Sequence, residues 1–105
     1  MKKRIFNFGS LAIETIKNIK IIEKKKLFKE LKIKTHIPFV ILTYHPVTLE
    51  NKNLILYQIK NIISALKKYN FQIIVTAPGH EKGRNIIDNY IYKNSKKNKK
   101  IIYIK

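Results

Sequence analysis

Two parts of this sequence have residue types and spacing that could carry chemistry, and the first is a histidine. His45 follows a run of large and β-branched apolar residues at positions 39–43, and Pro46 comes directly after it. Because proline cannot donate to a sheet ladder, a strand over 39–43 should stop here, with His45 at its carboxyl end. A histidine in this position could donate to a phosphate or exchange a proton near neutral pH. The alternative is that it bonds a neighbouring loop and serves structure only.

The second part is the loop at residues 79–84, which contains two glycines and ends in arginine. Gly83 allows a close backbone approach, and Arg84 offers a planar fork for a phosphate at the start of a following helix. An ordinary strand-to-helix turn would have the same spacing. His36 precedes the 39–43 strand and would lie at the opposite edge, so it is discounted as a site residue.

The segments after His45 alternate between helical and strand patterns. Apolar residues recur at spacings of three and four over 49–69, which predicts an amphipathic helix. Residues 71–76 form a second short apolar run and predict a buried strand. Another helical face follows Arg84, and residues 101–104 predict a last core strand.

This alternation predicts an α/β fold with a parallel sheet and flanking helices. The strands over 39–43 and 71–76 should be adjacent and, as buried strands of a parallel sheet, covered on both faces. The carboxyl ends of parallel strands meet at one edge, which is where ligands bind in open α/β sheets. His45 and the 79–84 loop are therefore expected on the same edge.

The start of the chain has a weaker pattern. Residues 4–8 alternate loosely and predict a short strand, which runs into a turn at Gly9 and Ser10. The Ser10 side chain could cap a helix that carries an apolar stripe, and a second short helix is expected from about Glu23. Residues 32–37 form a basic connector into the 39–43 strand.

Several classes of site are not indicated by the sequence. There is no phosphate-loop signature, dinucleotide glycine fingerprint or paired-histidine metal motif, and no carboxylate pair at a catalytic spacing. No metal and no cofactor are expected. Four acidic residues are assigned to solvated helix faces: Glu14, Glu23, Glu30 and Asp88.

The formal charge of +17 suggests binding to nucleic acid or another polyanion. However, 21 of the 23 basic residues are lysine, whereas specific phosphate recognition favours arginine. A solvated lysine surface is the simpler interpretation, with non-specific polyanion binding as a consequence. A small basic α/β module that binds through residues 24–26 and 96–100 remains the alternative function.

Length and composition limit the remaining possibilities. With 105 residues the chain is one domain or a piece of one, and the absence of cysteine excludes disulfides and thiolate metal sites. The basic start lacks the apolar region that a signal peptide needs, and no segment approaches a membrane span. A cytoplasmic location is the expectation.

Three blocks of the sequence together resemble a known family. They are Phe-Gly-Ser-Leu-Ala-Ile-Glu-Thr-Ile at 8–16, Leu-Thr-Tyr-His-Pro-Val-Thr-Leu at 42–49, and Ile-Ile-Val-Thr-Ala-Pro at 73–78 followed by Gly83 and Arg84. Their order and spacing are similar to those of the UDP-N-acetylglucosamine 2-epimerases. The His-Pro-Val-Thr phrase is the most specific and resembles the hydrolysing branch, which makes N-acetylmannosamine or related sugars for sialic-acid-like products.

The resemblance implies a glycosyltransferase-B-like architecture, with a UDP-sugar bound between two Rossmann-like halves. Residues 1–37 would be an interdomain segment with a short strand and two helices, and residues 38–105 part of the C-terminal, nucleotide-sugar-binding domain. Gly9 and Ser10 would lie where the chain enters that domain and would contribute to substrate binding. His45 would face the cleft as a catalytic residue, and Gly83 and Arg84 would contact the substrate from the nucleotide-side loop.

The resemblance also implies the chemistry, which is elimination of UDP across the C1–C2 bond of the sugar followed by addition of water. The carboxylates for acid-base catalysis belong to the N-terminal half in this family, so the chain reads as a truncated, split or degenerate epimerase, inactive alone. A separate N-terminal half or a homo-oligomer would complete it. The chain departs from the family pattern at residues 79–82, where hydrolysing enzymes carry an Asn-Ala-Asp-like run, and this leaves open a different sugar.

Overall fold

The structure is a computed structural model that describes residues 6–47, 49–80 and 82–105. Helices and strands alternate through most of this range. The elements are α1 (Leu11–Asn18), α2 (Lys24–Glu30), β1 (Phe39–Leu42), α3 (Lys52–Leu66), β2 (Gln72–Thr76), α4 (Arg84–Lys97) and β3 (Ile101–Ile104).

The three strands of the described residues form one parallel sheet in the order β1-β2-β3. Val40 of β1 lies opposite Ile73 of β2, which in turn lies opposite Ile101 of β3. The prediction of parallel strands, with the 39–43 and 71–76 runs adjacent, is confirmed. The arrangement is Rossmann-like, with helices flanking the sheet.

Helices α3 and α4 cover one face of the sheet and form the main core with it. Isoleucines at every fourth position of α3 face inward, as the spacing predicts, and two isoleucines of α4 do the same. The buried members of this core are Ile55, Ile59, Ile63, Ile73, Val75, Ile87, Ile91 and Ile101.

A smaller cluster occupies the opposite face. Phe28 of α2, Ile33 and Ile74 pack together, and the Phe28 ring meets the Phe39 ring edge to face, with centroids 5.5 Å apart. The buried Gln72 side chain anchors the connector, because its Oε1 accepts a hydrogen bond of 2.6 Å from the Lys34 amide. These contacts tie α2 to the amino-terminal end of β2.

The expectation that β1 is buried on both faces is wrong. Phe39 is 39% exposed and Ile41 is 65% exposed, whereas positions 72–75 of β2 are buried throughout. Phe39 and Ile41 point to the same face of the sheet, and α2 covers only the Phe39 end of that face. In addition, β1 is an edge strand of the described sheet. The central strand is β2.

The beginning of the chain also differs from expectation. Residues 4 and 5 of the predicted first strand lie outside the described residues, and positions 6–8 are not in a strand. Ser10 occupies the N-cap position of α1, but its side chain makes no capping bond, and its carbonyl accepts from the Ile13 and Glu14 amides instead. A strand needs a neighbour for its backbone hydrogen bonds, and the described sheet offers none to positions 6–8.

Helix α1 is present, but none of its residues is buried. Its predicted apolar stripe is exposed, with Ile13 at 53% and Ile16 at 63%. The Cα radius of gyration is 17.8 Å, compared with about 13 Å for a compact domain of this length. The N-terminal segment therefore extends from the sheet.

Helix α3 is shorter than the predicted 49–69. Asn51 sets its start, because the side-chain oxygen accepts a 2.9 Å hydrogen bond from the Leu54 amide. The helix gives way to turns after Leu66. Among the helices of the described residues, none is both long and apolar enough to cross a membrane.

Candidate functional site

The carboxyl ends of β1 and β2 lie side by side and define the candidate site. Leu42 is opposite Val75, and the hydroxyls of Thr43 and Thr76, one position further on, are 2.9 Å apart. The loops that carry His45 and residues 77–83 therefore leave the same edge of the sheet, as predicted.

A chain of polar contacts fastens the first of these loops to α3. The Tyr44 hydroxyl donates to Oε1 of Gln58, and the Gln58 Nε2 donates to Oε1 of Glu50 over 3.1 Å. Burial, followed by the negative charge of Glu50, raises the pKa of the Tyr44 hydroxyl. Tyr44 thus anchors the backbone before His45, and the buried Pro46 anchors it after. The His45 side chain itself is exposed.

The second loop ends at Gly83, whose backbone has a φ of 95°. A side chain is strained in this left-handed region, and a Cβ at this position would also lie 2.8 Å from Cδ1 of Ile55. Gly83 is the N-cap residue of α4. Its close approach to Ile55 therefore brings the first turn of α4 against the first turn of α3.

A cavity of about 380 Å³ opens beside the start of α4. Three of its lining side chains, Lys52, Lys82 and Arg84, are cationic. The amino-terminal end of a helix adds unpaired backbone amides and a favourable dipole for an anion. The remaining described lining residues are His80, Gly83, Asn85 and Ile86.

Arg84 is held by contacts on two sides. Its Nε lies 3.5 Å from Oδ2 of Asp88, one helical turn away, and its Nη1 lies 3.4 Å from Nδ1 of His80. The other Asp88 oxygen, Oδ1, accepts a hydrogen bond from the Tyr103 hydroxyl of β3. Burial, then this hydrogen bond and the Asp88 charge, raise the pKa of Tyr103 to about 12.

The assignment of Asp88 to a solvated helix face is thus wrong. Its side chain is only 18% exposed and bonds to both α4 and β3. The i,i+4 spacing to Arg84 was a visible signal for the ion pair. The bond from Tyr103, by contrast, depends on how β3 packs against α4.

The comparison with protein families identifies the chain. The family described as UDP-N-acetylglucosamine 2-epimerase matches residues 1–105. The chain belongs to this family. The fold class predicted from the sequence agrees with it, and the match favours the epimerase interpretation over the nucleic-acid-binding one.

One characterised relative of this epimerase-family chain comes from Campylobacter jejuni. It is named GDP/UDP-N,N'-diacetylbacillosamine 2-epimerase (hydrolyzing) and is 42% identical over 106 aligned residues. The alignment covers 93% of the chain but 27% of the relative. The chain therefore spans about a quarter of the length of the relative that it matches.

The structure brings some of the predicted site residues together and leaves others apart. Gly83 and Arg84 line the 380 Å³ cavity, and His45 lies on the same sheet edge without lining that cavity. Gly9 and Ser10 are exposed at the start of α1, whose residues are all unburied. Apart from its chain neighbours, no atom of the described residues lies within 4 Å of the place where a Gly9 Cβ would be.

Of the residues that line the cavity, only Gly83 and Arg84 were named as site residues from the sequence; Lys52 and His80 are two of those that were not. Lys52 could not be distinguished from the many other lysines, and His80 was noted only as a departure from the family pattern. Each becomes a candidate because of its place beside Arg84. Across residues 6–47, 49–80 and 82–105, no group of three or more His, Cys, Asp or Glu side chains is arranged to hold a metal ion.

Proposed function

We propose that this epimerase-family chain forms part of a nucleotide-sugar site and binds the UDP portion of the substrate. The observation that supports this most is the cationic cavity at the start of α4, on the sheet edge that also carries His45. A diphosphate carries the negative charge that Lys52, Arg84 and a helix amino-terminus favour. A nucleic acid would be expected to use dispersed lysines instead.

Each predicted site residue has a role in this proposal. The Arg84 guanidinium binds phosphate oxygens, and Gly83 lets the backbone approach them. His45 faces the sugar side of the cleft, where it donates to phosphate or exchanges a proton. Gly9 and Ser10 mark the passage between the two domains, with residues 1–37 as the interdomain segment and 38–105 as part of the nucleotide-sugar-binding domain.

The proposed reaction of the whole enzyme is hydrolytic 2-epimerisation of a UDP-linked 2-acetamido sugar. UDP is eliminated across C1 and C2, and water then adds, which gives N-acetylmannosamine or a related sugar. The name of the Campylobacter jejuni relative makes a diacetamido sugar a second candidate substrate. Which sugar is used depends on the region that departs from the family pattern, residues 79–82.

We further propose that a complementary half, or another copy of the chain, completes the cleft of this glycosyltransferase-B-like architecture. The exposed apolar stripe of α1 supports this, since such a stripe is normally covered. The 105-residue chain alone should then bind UDP without turnover, because the acid-base carboxylates come from the other half. Release of UDP from UDP-N-acetylglucosamine above a heat-killed control would contradict this. The cytoplasmic location stays a prediction.

Titration of UDP by NMR tests the proposed site. We expect weak binding, with a Kd on the order of 1 mM, because half of the cleft is contributed elsewhere. His45→Ala and Arg84→Lys should each weaken binding while the fold persists, since both side chains lie at the sheet edge. His36→Ala is the matched histidine control, and neutralising Lys96 and Lys97 is the charge control.

The outcomes separate the two functions. Loss of binding in the His45 and Arg84 variants alone supports the nucleotide site. If the lysine changes abolish binding and His45→Ala does not, the site assignment is wrong and general polyanion binding is favoured. A steep dependence on salt in every variant would support the same conclusion.

A further inference from the structure

We propose that Asp88 is a positioning residue that holds the Arg84 guanidinium at the anion cavity, with Tyr103 fixing Asp88 in turn. This inference rests on the proposed function, because it concerns how the arginine of the same UDP site is held. It concerns a carboxylate and a phenol that the sequence did not single out. Neither side chain lines the cavity itself.

The Asp88 carboxylate is held from two directions. Oδ2 lies 3.5 Å from the Arg84 Nε on the same helix, and Oδ1 accepts from the Tyr103 hydroxyl on β3. Tyr103 is opposite Val75 in the sheet register, so its backbone is fixed by the core strand beside it. The orientation of the carboxylate therefore depends on the sheet and not only on α4.

The Arg84 guanidinium is restricted in consequence. Arginine only donates hydrogen bonds, so the 3.4 Å contact between its Nη1 and the His80 Nδ1 requires an unprotonated Nδ1 as acceptor. Among the residues that the structure describes, the contacts with Asp88 and His80 use the Nε–H group and one N–H group of Nη1. Three of the five N–H groups are left for a planar contact with phosphate oxygens.

This restriction matters for affinity because an anion that binds a mobile arginine must immobilise it. Immobilising a long side chain on binding lowers the affinity by a factor of about five. Asp88 removes part of this cost before the ligand arrives. Its own negative charge acts in the opposite sense on an anion, so a loss of affinity on neutralising it would point to positioning.

The test uses the 105-residue chain and follows the arginine Nε–H signals by NMR. The chain has two arginines, Arg4 and Arg84, so an Arg4→Lys variant assigns both signals. In Asp88→Asn we expect faster solvent exchange of the Arg84 Nε–H and UDP binding weakened about fivefold. Asp88→Glu, which keeps the carboxylate, should restore slow exchange. Glu30→Gln, an exposed change of the same net charge, should alter neither.

A second variant tests the same arrangement from the β3 side. Tyr103→Phe removes only the hydroxyl that bonds Asp88, and should accelerate Nε–H exchange partially. It provides the decisive measurement if Asp88→Asn does not fold. No change in the exchange of Arg84 in either folded variant would overturn the inference.

The two proposals can fail separately. If the unchanged chain does not bind UDP at millimolar concentration, the proposed function is wrong, and the Nε–H exchange still decides whether Asp88 positions Arg84. If the chain binds UDP and Asp88→Asn binds it equally well, the positioning role is overturned while the site stands. An equal loss in Glu30→Gln would also overturn it, because the loss would then not depend on the contact between Asp88 and Arg84.

Discussion

The contact between Gly83 and Ile55 allows a quantitative test of how the site is built. Gly83→Ala places a methyl group 2.8 Å from Cδ1 of Ile55 and at a φ of 95°. The left-handed backbone costs about 1 kcal/mol for alanine. Overpacking against the buried Ile55 adds roughly 1–2 kcal/mol, because the α3 side of the core must shift. The expected loss in the free energy of unfolding is therefore about 2–3 kcal/mol.

Urea unfolding monitored by circular dichroism measures this loss, and the chain contains a matched control. Gly9 also has a positive φ, of 76°, but within the described part of the chain nothing except its chain neighbours lies within 4 Å of its Cβ position. Gly9→Ala should therefore lower the free energy of unfolding only through backbone strain, by at most about 1 kcal/mol. A Gly83→Ala variant no less stable than Gly9→Ala would refute the packing argument.

A double-mutant cycle isolates the contact itself. Ile55→Val removes Cδ1 and alone costs about 1 kcal/mol. In the Gly83→Ala background the same change relieves the clash. The double variant should therefore lose about 1 kcal/mol less unfolding free energy than the sum of the two single losses. Strict additivity would mean that the loop moves away from α3 instead.

Three further predictions follow from single contacts. The pKa of Tyr103 should be about 12 in the folded chain. Its contribution to stability is therefore full below its ordinary pKa of 10.0 and is lost as the pH rises towards 12. Asp88→Asn should lower this pKa in an ultraviolet titration of the tyrosines. Ile59→Ala, at a fully buried position, should destabilise the fold by about 3 kcal/mol in urea. Asn51→Ala removes the α3 cap and should cost about 1 kcal/mol, whereas Asn53→Ala, within the first turn of α3, should cost less.

From α1 onwards, the sequence by itself determined the element types, their order and the parallel sheet. The last strand was predicted at its observed bounds, Ile101–Ile104, and the other two strands within one residue at each end. This is possible because short apolar runs and three-to-four spacing are local patterns that hydrophobic burial enforces. Parallel topology then followed from the alternation, and it placed His45 and the Gly83 loop on one edge.

Only the tertiary structure decided which groups are buried together. Phe39 and Ile41 are as apolar as β2, yet they are exposed because α2 covers only the Phe39 end of that face of β1. Asp88 has the sequence environment of a solvated helix face, but a hydroxyl on β3 reaches it. Burial and long-range hydrogen bonds depend on neighbours that are distant in the chain, and periodicity carries no information about them.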